Sequence, residues 1–340
     1  MPFPESAVRL LRQAVDDGVA PAIAATVVRF DGEPDVVAVG RRRIGGLGVT
    51  VDTRFDLASL TKVVATLPSV LRLVAEGEVA LDDPVGRFFS SAGWFQQPSL
   101  ADVTVRALLT HTSGLPAWRP LFAQVGARST ARAAVLQSPL ERPGDLVYSD
   151  LGFMLLGALV ERVSGDRLDA FAAREVFGPL GMGDTRFGPL GGAPVAATED
   201  CGWRGRVLEG EVHDENAAGL GGVAGHAGLF GTAADVAALG QAWLERDPRL
   251  NIDPALADEA VRQHAETDDE RRGLGWMLKS LQGSAAGDRM DPATYGHTGF
   301  TGTSLFIDPT RALVVALLTN RVYPGREVPG ITDLRRAVHD

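Results

Sequence analysis

The sequence predicts a mixed α+β fold. Both ends of the chain supply strands to one sheet, helices flank that sheet, and the middle of the chain forms a mainly helical lobe. Three observations predict it. β-Rich runs occur between residues 22 and 57 and again between 274 and 319. Apolar residues three and four apart prevail in the segments between. The apolar share is 45% and the charged share 22% over 340 residues, which suits a globular chain with ample length to bury a core. The implied division is 1–77 together with 232–340 for the sheet, and 78–231 for the helical lobe.

Ala7, Leu10, Leu11 and Val15 lie on one face of a first helix, which Gly18 ends. Runs at Ala22–Phe30 and Asp35–Val39 follow, with Asp31-Gly32 between them as a hairpin signal. Phe55–Leu57 is a third short strand and leads into the most strongly patterned stretch, Phe55–Gly77. There Leu60, Val63, Val64, Leu67, Leu71 and Val74 recur at helical spacing. Pro68 within it frees the Val64 carbonyl and is expected to kink the helix. Residues 78–89 read as a turn and a short helix. Thr104–Thr110 (entered at Asp102), Ser129–Gln137, Asp150–Ser164 and Leu168–Val176 read as helices. Residues 188–231 are rich in glycine and read as a long irregular loop or lid. Thr232–Leu244, capped by Thr232, and Pro254–Glu266 are helical. Leu274–Leu278, Tyr295–Thr298, Thr303–Ile307 and Ala312–Thr319 are strands, the last apolar enough to be central, and Ile331–Val338 closes as a helix.

A net charge of −10 argues against nucleic acid or an anionic membrane as partner. The single cysteine, Cys201, rules out an internal disulfide framework and reads as a bystander. The N-terminus mixes acidic residues with apolar ones and has no signal-peptide core, so it reads as a helix of the mature, cytoplasmic protein. No run approaches eighteen apolar residues, the length that would span a bilayer.

Chemistry concentrates in three places. Ser59 precedes the apolar stripe and Lys62 follows one helical turn later, so hydroxyl and amine share a face. The dipole and free amides at a helix start favour negative charge beside Ser59. A serine with an amine at hand is the outline of an activated nucleophile. The chain has fourteen Ser and two Lys against thirty-one Arg, so about 0.08 such pairs are expected by chance. A lysine, unlike an arginine, can also give up its proton when desolvated. Tyr148-Ser149-Asp150 sits in a loop before a helix, and His297-Thr298-Gly299 ends a β-run.

In this order Ser59-x-x-Lys62, Tyr148-x-Asp150 and His297-Thr298-Gly299 resemble the S-x-x-K, Y-x-N and K-T-G motifs of class C serine β-lactamases. Penicillin-binding proteins and related esterases share that order. The flanks agree: HTSGLP at 111–116, YSDLGFMLLGALVERVSG at 148–165 and LLTNRVYP at 317–324. The resemblance spans residues 5 to 338 and implies an antiparallel sheet beside an all-helical lobe, with a catalytic cleft between. It implies that Ser59 forms an acyl-enzyme, that Lys62 and Tyr148 move its proton, and that the N–H groups of Ser59 and Phe300 hold the oxyanion. Lysine and tyrosine ordinarily titrate near 10, so work at neutral pH asks for a bias on the order of 4 kcal/mol. Which of the two is the base stays open.

Two residues depart from the family pattern. His297 replaces lysine and Asp150 replaces asparagine, which makes the pocket less positive. A carboxylate-bearing β-lactam or D-Ala peptide should then bind less well, whereas a neutral ester or amide loses nothing, so ester hydrolysis is favoured. An arginine such as Arg321 or Arg326 could restore the charge, and Asp150 could pair with Lys62, raising its pKa. A D-alanyl-D-alanine carboxypeptidase, a weak β-lactamase and a non-catalytic ligand-binding homologue are the alternatives. No cofactor is implied. His213-Asp214-Glu215 with His226 fits no metal spacing and reads as pinning the long loop over the cleft. His111 reads as a loop-fixing residue, and Trp118 as a residue that lines the pocket or covers surface.

Overall fold

Strand β1 (Ala22–Arg29) reads as an almost unbroken apolar run because both of its faces are covered. Ala22, Ala24 and Val28 enter the main core, whereas Ile23 and Ala25 pack on the other face with Leu11, Ala14 and Leu334. Those partners come from the terminal helices, Glu5–Asp16 and Ile331–His339, which close that face together. The computed structural model describes residues 3–29, 32–89, 98–123, 128–192 and 194–340. Phe30 and Asp31, at the expected hairpin tip, lie outside the described residues.

Pairing is antiparallel throughout the main sheet. The other strands are β2 (Asp35–Gly40), β3 (Phe55–Asp56), β4 (Arg186–Phe187), β5 (Glu199–Cys201), β6 (Arg206–Leu208), β7 (Leu229–Gly231), β8 (Ala265–Glu266), β9 (Arg271–Arg272), β10 (Met277–Leu278), β11 (Tyr295–Thr298), β12 (Ser304–Asp308) and β13 (Leu313–Thr319). Their order is β2-β1-β13-β12-β11-β10-β9-β8. The apolar β13 is interior, as its composition required. The helix Ala233–Glu245, capped by the Thr232 hydroxyl, crosses β1, β12 and β13. Gly240 lets it approach, since a Cβ there would sit 3.0 Å from Leu305 Cδ1.

Several boundaries differ from expectation. The helix Pro254–Val261 stops short of Glu266 because residues 262–272 are nearly all polar and offer no face to bury; they form the β8–β9 hairpin instead. Gly275 (φ +73°) turns the chain and confines β10 to Met277–Leu278. The helix after Asp102 starts at Val105, and Thr104, not Asp102, caps it by accepting from the Ala107 N–H. The helix from Leu168 passes at Ala173–Phe177 into a π-helical turn. The 188–231 segment is not irregular throughout. It holds the β5–β6 hairpin, the helix Glu215–Gly219 and β7, which pairs with β3 and β4 in a second sheet. These pieces are too short to show a period in sequence.

The Phe55–Gly77 stretch is built in three parts. Ala58–Leu60 is a 3₁₀ turn, Lys62–Thr66 a π-helical turn and Leu67–Ala75 an α-helix. Pro68 occupies the first turn of the α-helix, where no N–H is needed, and the widened π turn stands where a kink was expected. The eighteen residues Ala58–Ala75 have a mean hydropathy of 1.4. Of this window 78% is buried, so its apolar surface is spent on the core.

Candidate active site

Ser59 enters the cleft on a strained support. Ala58, just before it, has φ +46°, a left-handed value that costs a residue with a Cβ about 1 kcal/mol. The Asp56 carboxylate holds this conformation by accepting the Ala58 N–H at 2.8 Å and the His213 N–H at 2.7 Å. Burial pushes the Asp56 carboxyl above its ordinary value, and those two N–H groups oppose the shift.

Lys62 is fully buried, and its ammonium reaches three oxygens. It donates to Ser59 Oγ at 2.9 Å, to Asp150 Oδ1 at 2.7 Å and to the His226 carbonyl at 3.3 Å. Burial alone would push the amine down, but the Asp150 carboxylate and Tyr148 outweigh it, and Lys62 titrates above its ordinary value. It is therefore an ammonium at neutral pH, able to donate but not to accept. Asp150 opens the helix Asp150–Ser164, whose start is fixed by the Ser149 hydroxyl accepting from the Gly152 N–H. The Tyr148 ring lies 4.8 Å from Lys62 Nζ and 5.2 Å from the Arg272 guanidinium carbon, so two cations face the phenol.

A turn at 299–303 faces Ser59. Thr301 Oγ1 donates to the Asp56 carbonyl at 2.8 Å and Thr303 Oγ1 to the Leu57 carbonyl at 3.1 Å. These two hydroxyls join the turn to the strand that leads into Ser59. Among the described residues no acceptor is given for the backbone N–H groups of Ser59 and Phe300, which leaves both for a ligand oxygen. Ser59, Tyr148, Asp150, Arg272, His297 and Phe300 line one cleft of about 650 Å³. They come from four separate stretches of the chain, which only the fold brings together.

The sequence model of the Beta-lactamase family matches residues 7–340. The chain belongs to that family. Its members act as serine hydrolases, and this chain is one of them. A protein of Escherichia coli K12, provisionally named a D-alanyl-D-alanine carboxypeptidase, is 34% identical over 306 residues, covering 80% of this chain and 70% of that protein. EstCE1, described as a hydrolase with promiscuous acyltransferase activity, superposes with a TM-score of 0.79 at 22% identity, over 98% of this chain and 97% of the other. A class C β-lactamase from Rhodobacter sphaeroides superposes with a TM-score of 0.76 at 19% identity, over 98% and 97%. The two structures show the shared fold.

Where the family motif has lysine, the β-lactamase-like cleft of this chain has His297, fully enclosed. Its Nδ1–H donates to the Thr298 carbonyl at 2.7 Å. Burial pushes the imidazole well below its usual value, with Arg272 and Lys62 pushing the same way, so it is neutral with Nε2 bare. His111, with φ +60°, accepts the Ser149 N–H through Nδ1 and lies against the Tyr148 ring at 4.7 Å between centroids. It fixes the loop, as expected, and backs the phenol.

A cation that no sequence signal marked also lines the cleft. Arg272, on β9, is 2% exposed; Nη2 donates to Glu270 at 3.2 Å, while Nε and Nη1 are buried with no partner among the described residues. Both arginines expected for this place line the cleft as well. Arg326 is spent on Glu199 and Glu215, and Arg321 donates to the carbonyls of Phe300, Arg326 and Val328. The long loop is pinned as expected. Asp214 caps the helix Glu215–Gly219 and accepts from His226 Nε2 at 2.8 Å, and His213 stacks on Phe300 at 5.7 Å. Among the described residues no group of His, Cys, Asp and Glu is placed to hold a metal ion. Trp118 lines the cleft while 46% exposed, and Cys201 is buried and unpaired.

Proposed function

We propose that this enzyme hydrolyses carbonyl substrates through an acyl-enzyme on Ser59, and that its substrates carry a carboxylate near the scissile bond, as D-alanyl-D-alanine peptides do. Tyr148, in its phenolate form, takes the serine proton, because Lys62 is already charged and donates to Oγ. Lys62 and Arg272 lie against the ring and stabilise that phenolate before it takes the proton. The N–H groups of Ser59 and Phe300 receive the oxyanion. Tyr148 returns the proton to the leaving amine, and water then releases the acyl group by the same route in reverse.

Arg272 carries the choice of substrate. The preference for a neutral ester rested on the loss of the motif lysine; a buried guanidinium in the same cleft, paired with Glu270 and with two nitrogens that have no partner among the described residues, supports a carboxylate-bearing substrate instead. The relative at 34% identity, named for D-alanyl-D-alanine cleavage, supports the same substrate class. The test compares an N-acylated D-Ala-D-Ala peptide with p-nitrophenyl butyrate. Ser59→Ala is expected to abolish turnover of both and labelling by a fluorophosphonate. Arg272→Met is expected to lower kcat/KM for the peptide roughly ten- to a hundredfold more than for the ester, the value of a charged hydrogen bond. An equal loss on both substrates would return the assignment to an esterase. Equal turnover by wild type and Ser59→Ala would end it altogether.

A further inference from the structure

Resting on the acylation of Ser59 proposed above, we infer that Arg335, from the last helix, is a positioning residue that aims the Phe300 N–H at the oxyanion. Arg335 is 8% exposed, and its Nη2 donates to two carbonyls, Gly299 at 2.8 Å and Thr303 at 2.9 Å. The Gly302 N–H also donates to the Gly299 carbonyl, at 3.0 Å. In a trans peptide the carbonyl and the following N–H point in opposite directions. Holding the Gly299 carbonyl against Arg335 therefore turns the Phe300 N–H away from that guanidinium, at a cleft that Ser59, Phe300 and Arg335 all line.

The next peptide is held as well. Arg321 Nε donates to the Phe300 carbonyl at 2.9 Å, and the Thr301 carbonyl accepts from Thr319 Oγ1 at 2.8 Å. Thr301 and Thr303 bind the opposite side of the turn to the backbone before Ser59. The two oxyanion donors are thus set at a fixed spacing by side chains on one side and by an arginine pair on the other. A guanidinium nitrogen suits this task because it carries two hydrogens in a fixed plane, one for each carbonyl. A peptide flip at 299–300 would put a carbonyl where the donor must be, and Arg335 makes that flip cost two charged hydrogen bonds.

The experiment measures ester hydrolysis and inhibition by phenylboronic acid, whose serine adduct places an oxygen in the oxyanion site. Arg335→Met is expected to lower kcat about a hundredfold with KM changed less than about threefold. The inhibition constant of the boronate should rise by the same factor as kcat/KM falls. Arg335→Lys, which keeps donors for both carbonyls, should recover kcat to within about tenfold of wild type. Unchanged kcat in a folded Arg335→Met protein, or a loss expressed in KM alone, would overturn the inference. If circular dichroism shows that variant unfolded, Arg321→Met takes its place, with an expected fall in kcat of about tenfold; wild-type kcat there overturns the inference too. Absence of fluorophosphonate labelling at Ser59 in the wild type would instead remove the acyl-enzyme, and the positioning role with it.

Discussion

Replacing Asp150 by asparagine tests the electrostatics on which the proton transfer depends. The substitution removes the charge facing Lys62 but keeps an oxygen at the position now 2.7 Å from the ammonium. The Lys62 side chain is fully buried and that of Asp150 is 19% exposed. At an effective dielectric of about 20, unit charges about 4 Å apart attract by about 4 kcal/mol. The retained hydrogen bond keeps roughly 1 kcal/mol of this, and water at the exposed edge of Asp150 screens a further part. Asp150→Asn should therefore lose about 2 kcal/mol of unfolding free energy at pH 7, measured by urea denaturation.

The pH dependence gives that loss a sign. In the wild type Lys62 titrates above its unfolded value of 10.5, so the pair's contribution is complete below that pH and disappears only as the pH climbs through the folded value. In Asp150→Asn, burial, the largest influence, is opposed by Tyr148 alone, and the folded value drops below the unfolded one. The unfolded chain then binds more protons over that interval, and the variant gains stability as the pH rises. The gap between the two proteins should narrow from pH 7 to pH 10. A gap below about 0.5 kcal/mol at pH 7, or one unchanged at pH 10, would refute the assignment of Lys62 as a buried ammonium held by Asp150.

Tyr148→Phe should lower kcat by about 10²- to 10⁴-fold while leaving KM nearly unchanged, the loss expected of a general base; steady-state kinetics on p-nitrophenyl butyrate checks it. Gly299→Ala should lower kcat by a factor on the order of 10², because the new Cβ would press on Thr303 Oγ1 and lie 2.7 Å from the Leu57 carbonyl, forcing the oxyanion turn to move. Acid should destabilise the protein earlier than carboxylate titration alone would. Burial holds His111 and His297 well below their ordinary value and His339 at about 3, so the unfolded chain takes up protons first as the pH falls below 6.5. Thermal melts should show a midpoint that is flat above pH 7 and falls steadily between pH 6.5 and 5.

The family, the division of strands between the two ends of the chain and five candidate site residues were legible without coordinates, because each left a local trace. Ser59 and Lys62 are three residues apart on one helical face. Tyr148 and Asp150 sit at a helix start, and His297 ends an apolar run that had to be a strand. The short elements at 188–231 and 262–272 left no such trace, since strands of two or three residues have no period to detect. Their pairing partners come from distant parts of the chain.

What the amino-acid order determined by itself was therefore the family, the candidate nucleophile with its neighbours in sequence, and the class of fold. Only the tertiary structure decided the charge of the cleft. Arg272 reaches Tyr148 from a strand 124 residues away, and Arg335 grips the 299–303 turn from the last helix. A side chain's titration and its aim depend on burial and on the charges that packing brings near it, and neither quantity is written in spacing along the chain. Thirty-one arginines look alike in the sequence; burial in the folded cleft singles out these two.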